Sequence, residues 1–384
     1  MRAVHTQITF WAMLNHATLA SEVGGSAIPP PTGPYAVGVR KFEIDYVNTE
    51  DPVAPGNVST SFLATAFYPT SARYGNIAEP YLDPAVAALW ETTYNLSAGD
   101  LASLTSTLAR NAPALDNISF PTLVFGPGGA GPPTEVFTII LSDLASHGYT
   151  VFGLDHPYEQ PFVRFPNGTG IYGLPVISVG FTPEFVTALH NIRVNETIAF
   201  INNIPDISRE LGSSVNTTHI GTFGTSLGGS AALGALLKDP RIKSGINVDG
   251  TFWGDLRAND SSVDAARPVF LFGNTGHFGS NRSDITWATF PAAQTGWWRQ
   301  LNVNGSFHHD FSDRTFWKEV FGIQQSTLGP INGYRMINIT RTFIRAFFDY
   351  TLLGKPQSIF DGSSDAWPEI IYSGGGNGSE STNV

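Results

Sequence analysis

The sequence predicts an α/β protein in which a mostly parallel central sheet carries helices on both faces. Three observations support this prediction. The chain has 384 residues, of which 42% are hydrophobic and 14% charged, a composition that can bury a large core. Between Phe120 and Leu353, short apolar segments typical of buried strands alternate with longer segments of helical periodicity. Glycine-rich turns follow two of the apolar segments, at 126–131 and 224–229.

The N-terminal part predicts an antiparallel pair of strands ahead of this alternating region. Residues 41–47 alternate in polarity as a strand does, and residues 62–68 form a second strand that closes at Pro69. Residues 84–108 have the pattern of a helix. No internal repeat is visible.

The alternating region supplies the parallel sheet and its covering helices. Each predicted strand is short and apolar, and each predicted helix carries spaced apolar residues or ends at a glycine or proline signal. The predicted strands are 121–125, 150–154, 219–223, 245–248 and 268–272, and the predicted helices are 135–147, 183–211 and a third that ends at Leu237.

The two ends of the chain predict export and a single folded domain between them. A positive Arg2, an apolar stretch at 8–14 and small residues ending at Ala20 predict a signal peptide over 1–20. A Pro/Gly-rich leader then covers 21–40, and one domain covers 41–372, with N-terminal strands in 41–69 and a core in 118–355. The glycine- and serine-rich tail, 373–384, is predicted to be disordered.

Eleven Asn-x-Ser/Thr sequons support the same localisation. Together with the N-terminus they predict a secreted glycoprotein, and the alternative is an Asn/Ser/Thr-rich chain whose sequons are never used. The sequons begin at Asn57, Asn95, Asn117, Asn167, Asn195, Asn216, Asn259, Asn281, Asn304, Asn338 and Asn377.

Charge and composition exclude several classes of function. A formal net charge of −11 disfavours nucleic acid and anionic membranes as partners. No cysteine is present, which excludes disulfides, a catalytic thiol and cysteine-ligated metals. No apolar run approaches the roughly 20 residues that a spanning helix needs, so no transmembrane segment is predicted.

The segment Gly224-Thr-Ser-Leu-Gly228 places a serine between a predicted strand and a predicted helix. This is the context of a nucleophile elbow, where the serine sits on a strained turn and its neighbours must be small. Gly224, Gly228 and Gly229 meet that requirement. The sequence therefore predicts Ser226 as a nucleophile, and the alternative is an idle serine in a tight turn.

A serine nucleophile needs a histidine base and an acid that orients the histidine. Asp249 ends a predicted strand, where loops project over the sheet edge, whereas Asp255, Asp260 and Asp264 lie in a polar loop and are weaker candidates. Three of the nine histidines follow Ser226. His308 and His309 share one loop, and His277 comes early for the last member and is interpreted as a surface or supporting histidine.

The negative charge that develops on an attacked carbonyl needs backbone donors. The Leu227 N–H follows the nucleophile directly and supplies one. The glycine-rich loop 126–131 follows the first core strand, and we assign the second donor to Gly129. A phosphate-binding interpretation of this loop fails because it lacks a Walker lysine.

The remaining candidates carry weaker functional interpretations. His156, at a strand end, is interpreted as a structural or pocket-wall residue, and His190 as a packed or surface residue of a helix. The tryptophans between Asp249 and His308 form either an apolar rim for acyl groups or part of the core; they are Trp287, Trp297 and Trp298. No residue cluster has metal-ligand spacing, so neither a metal nor a cofactor is predicted.

Several segments, taken in order, resemble the plasma-type, calcium-independent platelet-activating factor acetylhydrolases within the α/β-hydrolases. The resemblance covers roughly 41–353 and depends on segments 65–69, 121–131, 143–148, 224–229, 247–250 and 305–313. It implies an α/β-hydrolase fold with Ser226 as nucleophile, Asp249 as acid and His308, the first histidine of its loop, as base. It also implies amide donors at Gly129 and Leu227, and His309 is the next candidate base. The family's usual His-Gly pair in the oxyanion loop is replaced here by Pro127-Gly128, which leaves the acyl preference open.

The activity implied by this resemblance is a secreted serine esterase that forms an acyl-enzyme. Its implied substrates are short sn-2 acyl esters of glycerophosphocholine lipids, with 1-alkyl-2-acetylglycerophosphocholine as the reference and transient contact with a lipid surface. The first alternative is a broad secreted carboxylesterase or polyester hydrolase. A second alternative, a non-catalytic binding protein of the same fold, predicts a broken triad, whereas all three residue types are present.

Overall fold

The computed structural model describes residues 27–72, 79–115, 119–173, 180–257, 263–279 and 284–378. The predicted signal peptide, 1–20, lies outside these ranges. The described residues form fourteen strands, which are β1 Ala36–Asn48, β2 Ser59–Thr70, β3 Glu79–Pro80, β4 Thr105–Ser106, β5 Ala109–Arg110, β6 Thr122–Gly126, β7 Thr150–Asp155, β8 Phe162–Arg164, β9 Gly170–Tyr172, β10 Ile220–Thr225, β11 Ile242–Val248, β12 Val269–Asn274, β13 Trp297–Val303 and β14 Ile370–Asn377.

Seven α-helices accompany these strands in the described part of the chain. They are α1 Pro84–Tyr94, α2 Thr138–Ser146, α3 Pro183–Leu211, α4 Leu227–Lys238, α5 Thr286–Ala292, α6 Arg314–Phe321 and α7 Gly333–Leu353. The predicted bounds of the longest helix, 183–211, are those of α3. None of the described helices combines the length and apolar character that a membrane span requires.

Ten strands form one sheet in the order β14-β13-β12-β11-β10-β6-β7-β2-β1-β5. The six strands from β13 to β7 are mutually parallel, and the predicted antiparallel pair, β1 and β2, extends the sheet beyond β7. The prediction of a mostly parallel sheet is therefore confirmed. All six parallel strands end at one edge of the sheet, which is where ligands bind in such folds.

The two faces of the sheet carry separate apolar cores, as the near-continuous apolar strands predict. On one face, side chains of α2 and α7 pack against residues such as Phe125, Phe223 and Ile246. On the other, side chains of α3, α4 and α5 pack against Val124, Ile220 and neighbouring residues. A third cluster joins α1 to α6 and α7 through Trp90 and Trp317.

Three predicted boundaries are wrong in the described residues. The helix predicted over 84–108 ends at Tyr94, because Asn95 adopts a left-handed conformation (φ 53°) and the Glu91 carboxylate caps the amides of the following turn. The leader predicted over 21–40 already belongs to β1 from Ala36 onward.

The tail predicted to be disordered from 373 continues β14 to Asn377 instead. Its glycines leave room for the ring of Trp298, and Arg299 donates to the Gly376 carbonyl at 2.9 Å. The absence of side chains at these glycines thus permits β14 to pair with β13. The glycine content of this segment therefore did not indicate disorder.

Candidate active site

Ser226 occupies the turn between β10 and α4 with φ 55° and ψ −126°, a conformation that is strained for a residue with a side chain. The turn needs glycine at two nearby positions, because backbone atoms occupy the space that a side chain would fill there. A Cβ on Gly228 would lie 2.1 Å from the Gly126 carbonyl oxygen, and one on Gly250 would lie 2.1 Å from the Ser226 carbonyl oxygen. The fold therefore presents Ser226 at the sheet edge, as a nucleophile elbow requires.

Asp249 follows β11, the strand next to β10, and also has a positive φ, 57°. Its carboxylate is buried and accepts hydrogen bonds from the Asn274 backbone N–H at 2.6 Å and the Asn274 side-chain amide at 2.9 Å. Burial acts to raise the pKa of Asp249, but hydrogen bonds from His277 and His308 outweigh it and lower the pKa below its usual range. The carboxylate therefore stays ionised.

His308 follows β13, and its Nδ1 lies 2.6 Å from Asp249 Oδ2. This contact leaves Nε2 as the nitrogen available to a serine hydroxyl. Ser226 and His308 line the same cavity, and Ser226 Oγ makes no hydrogen bond within the described chain. In enzymes without bound substrate, the hydrogen bond between a catalytic serine and its histidine is often long and shortens only when substrate binds. The structure thus brings Ser226, Asp249 and His308 together, and their chemical roles stay predictions.

His309, the alternative base, also lines the cavity, but it makes no hydrogen bond or ion pair with Asp249. Burial, with a further contribution from Arg314, lowers the pKa of His309 to about 3, so its ring is neutral. Of the alternative acids, Asp255 is exposed and Asp264 binds Thr295, whereas Asp260 lies outside the described residues. None of the described alternatives replaces the Asp249–His308 pair.

The loop 126–131 lies against the elbow and places the two predicted donors side by side. A Cβ on Gly129 would lie 2.9 Å from Leu227 Cδ2, and one on Gly128 would lie 3.4 Å from Ser226 Cβ. Leu227 is the first residue of α4, so its N–H has no acceptor within the helix. The neighbouring Ala130 N–H is already used, because it donates to Glu159 Oε1 at 3.0 Å.

Comparisons with known proteins agree with this geometry. The model of the family "Platelet-activating factor acetylhydrolase, isoform II" matches residues 185–370, a span that includes Ser226, Asp249 and His308. A probable 1-alkyl-2-acetylglycerophosphocholine esterase of Arthroderma benhamiae is 29% identical over 271 residues, 67% of each chain. The platelet-activating factor acetylhydrolase of Canis lupus familiaris is 23% identical over 86% of this chain and 76% of its own.

A solved structure extends the similarity to nearly the whole chain. The ferulic acid esterase from Streptomyces cinnamoneus superposes with a TM-score of 0.78 and 25% identity, covering 91% of this chain and 99% of its own. The chain has the α/β-hydrolase fold and is similar in sequence to the platelet-activating factor acetylhydrolases. Like these relatives, it is a carboxylic ester hydrolase.

A buried ion pair behind the loop 126–131 was not predicted from the sequence. Arg193 of α3 donates to Glu159 Oε1 at 2.6 Å and Oε2 at 3.0 Å, and both side chains are almost fully buried. The same guanidinium donates to the carbonyl oxygens of Pro127 and Gly128. The two residues are 34 positions apart, so their spacing in the sequence does not predict that they pair. The one available signal was an arginine on an otherwise apolar face of a predicted helix.

His277 lies against the Asp249 carboxylate. Its Nε2 is 3.3 Å from Asp249 Oδ1, its Nδ1 is 3.5 Å from Asp284, and its ring stacks on Trp287 with centroids 4.1 Å apart. Burial acts to lower the pKa of His277, but the two carboxylates outweigh it and raise the pKa to about 9. His277 is thus a charged supporting residue behind Asp249, consistent with the supporting role predicted for it.

The remaining aromatic and histidine candidates have structural roles. Trp287 is fully buried and donates to the Gly250 carbonyl at 2.7 Å. Trp297 and Trp298 belong to β13 and pack against α7 and β14, so of the two interpretations, rim or core, the structure agrees with core packing. His156 is buried and pairs with Glu196, and burial lowers its pKa to about 3. His190 is buried against Gly234.

Proposed function

We propose that the chain is a serine esterase that works through an acyl-enzyme on Ser226. The observation that carries the proposal is the strained serine at the elbow, with the His308–Asp249 pair lining the same cavity. His308 Nε2 takes the proton as Ser226 Oγ attacks the ester carbonyl, and then gives it to the departing alcohol. Asp249 fixes the tautomer through Nδ1 and stabilises the imidazolium. Water attacks the acyl-enzyme in the second half of the cycle.

The proposed oxyanion hole consists of the N–H groups of Gly129 and Leu227. In a trans peptide unit the carbonyl and the next N–H point in opposite directions. Because Arg193 holds the Gly128 carbonyl from behind, the Gly129 N–H is directed away from Arg193, toward the side on which Ser226 lies. The Ala130 N–H is held by Glu159 instead. Arg193 and Glu159 therefore act as positioning residues for the oxyanion donor.

The proposed substrates are short sn-2 acyl esters of glycerophosphocholine lipids, including 1-alkyl-2-acetylglycerophosphocholine. The family match over 185–370 and the printed activity of the Arthroderma relative support this substrate class. A second candidate, a broad carboxylesterase, is favoured by the similarity to a ferulic acid esterase over 91% of this chain.

We also propose that the enzyme is secreted and glycosylated. Eight of the eleven sequon asparagines lie in the described residues, and all eight are exposed or half-exposed, where a glycan can be attached without disturbing the core. Enzyme made in a eukaryotic secretory host is expected to lose mass on treatment with a peptide N-glycosidase. No change of mass would contradict glycosylation.

Hydrolysis rates on matched substrates test the proposed function. The full chain is assayed with 1-alkyl-2-acetylglycerophosphocholine, its long-acyl counterpart, methyl ferulate and an aryl acetate, and Ser226→Ala is the control. We expect the acetyl phospholipid to have a kcat/KM at least tenfold above that of its long-acyl counterpart, and Ser226→Ala to be inactive. Turnover of methyl ferulate with none of the phospholipid would favour the second candidate. Full activity of Ser226→Ala would refute the mechanism.

A further inference from the structure

Two cavities meet at Ser226, and both are also lined by Gly129 and His308. The first, of about 290 Å³, extends under α1 and α6 to Trp90, Tyr94 and Arg314, and we call it the arginine cavity. The second, of about 380 Å³, extends toward α3, and we call it the apolar cavity. An ester bound at Ser226 therefore has two different environments for its acyl and alcohol parts.

Arg314 is fixed in the wall of the arginine cavity. The residue begins α6 and is only 6% exposed, and its Nε donates to Ser312 Oγ at 3.0 Å. Its guanidinium lies 5.3 Å from the centre of the Trp90 ring, which in turn stacks on Tyr94 at 5.7 Å. Because these contacts hold the side chain in place, its charge is already positioned before any ligand enters.

No acidic side chain of the described chain lies within 4.0 Å of the Arg314 guanidinium. Asp310, which acts on Arg314 electrostatically, is occupied by Lys318 at 2.5 Å and by the amides of Phe307 and Gly329 at 2.8 and 2.6 Å. Burial lowers the pKa of Arg314, but an arginine remains protonated at neutral pH. The cavity wall therefore contains a buried positive charge without a paired carboxylate, a situation that favours an anionic ligand.

The apolar cavity offers no such charge along its outer wall. It is lined there by Phe181, Val186, Leu189, Leu227 and Trp253. The polar lining, Asp249, Thr251, Asn274 and His277, lies on the side of the cavity that holds Asp249. An acyl group suits this wall, and the alcohol part of the ester is then directed toward Arg314.

We propose that Arg314 is the core of a phosphate subsite that binds the anionic part of the departing alcohol. This inference rests on the proposed function, since the phosphate of a glycerophospholipid is separated from its sn-2 ester oxygen by two glycerol carbons and one oxygen. That short linkage lets both groups lie in one cavity. The same guanidinium repels a choline cation from the Trp90–Tyr94 pair, so the choline is directed outward while the phosphate is bound.

Charge removal at Arg314 tests the subsite by a ratio of rates. Arg314→Met is compared with Arg314→Lys and with Arg209→Met, which removes an equal charge from an exposed position on α3. The substrates are 1-alkyl-2-acetylglycerophosphocholine and uncharged 1-alkyl-2-acetylglycerol, both below their aggregation concentrations. We expect Arg314→Met to lower the ratio of kcat/KM for phospholipid to that for acetylglycerol by about 10- to 100-fold. Arg314→Lys should lower it less, and Arg209→Met should not change it.

An unchanged ratio in Arg314→Met would overturn the subsite, even if both rates fell because the variant is less stable. Inhibition of aryl acetate hydrolysis by sn-glycerol 3-phosphate provides a measurement that does not need phospholipid turnover. Wild-type enzyme that does not hydrolyse the phospholipid, but is inhibited by glycerol phosphate more strongly than Arg314→Met, would support the subsite and contradict the proposed substrate. Equal inhibition of wild type and Arg314→Met would overturn the subsite.

Discussion

The two sides of Ser226 are built in different ways. On the acid side, Asp249 and His308 each follow a parallel strand, so the order of strands in the sheet brings them to the elbow. On the side of the proposed oxyanion donors, called the oxyanion side, Gly129 lies in a loop whose Pro127 and Gly128 carbonyls accept hydrogen bonds from Arg193, which itself pairs with Glu159. The first side is set by topology and the second by buried charge. We therefore expect substitutions on the acid side to remove a group that takes part in the reaction. Substitutions on the oxyanion side should instead displace the Gly129 N–H.

The largest effect is expected on the acid side. His308→Ala removes the proposed base and should lower kcat by about 10⁴- to 10⁶-fold. His309→Ala is the matched control, and a loss of less than about tenfold is expected because its ring is neutral and makes no hydrogen bond or ion pair with Asp249. Single-turnover rates on an aryl acetate measure both. A larger loss in His309→Ala would transfer the base to that residue.

The oxyanion side should show a smaller loss that is accompanied by a loss of stability. Arg193→Met removes the guanidinium that donates to the Pro127 and Gly128 carbonyls and leaves Glu159 buried without its partner. We expect kcat to fall about 10²- to 10³-fold with little change in KM. The free energy of unfolding should fall by about 3–5 kcal/mol. Arg209→Met, on the same helix, serves as the exposed control.

The double variant Arg193→Met/Glu159→Met separates positioning from stability. Removing both charges should recover most of the stability, because no unpaired charge remains buried. It should leave kcat low, because the Pro127 and Gly128 carbonyls lose the guanidinium as donor and only the Gly131 N–H, at 3.3 Å, still binds the Gly128 carbonyl. Recovery of kcat together with stability would show that the ion pair only supports the fold.

The smallest effect is expected behind Asp249, at His277, and it depends on pH. The pKa of His277 is raised from 6.5 to about 9 in the folded state, so its contribution to stability is complete below pH 6.5 and is lost as the pH rises toward 9. Relative to His277→Gln, wild type should lose about 1–3 kcal/mol of stability over that interval. Denaturant unfolding at a series of pH values measures the difference. Parallel curves would contradict a charged His277.

These differences also explain what the sequence could predict. The elbow around Ser226, the strand end at Asp249 and the bounds of α3 were predictable because each depends on local signals of glycine spacing, strand length and helix capping. Arg193, Glu159 and Arg314 were not predicted as site residues, because their importance arises from contacts between elements far apart in the sequence. The helix predicted over 84–108 was wrong for a similar reason, since the Glu91 carboxylate organises a turn that local propensity does not reveal.

The acyl-enzyme itself is the most direct test of the account. The full chain is mixed with an aryl acetate, quenched within the first turnover and digested, and the peptide that contains Ser226 is analysed by mass spectrometry. We predict one acetyl group on Ser226, formed with a burst of the aryl alcohol, and no such adduct in Ser226→Ala. An acetyl group on another residue, or a burst that survives Ser226→Ala, would contradict the account.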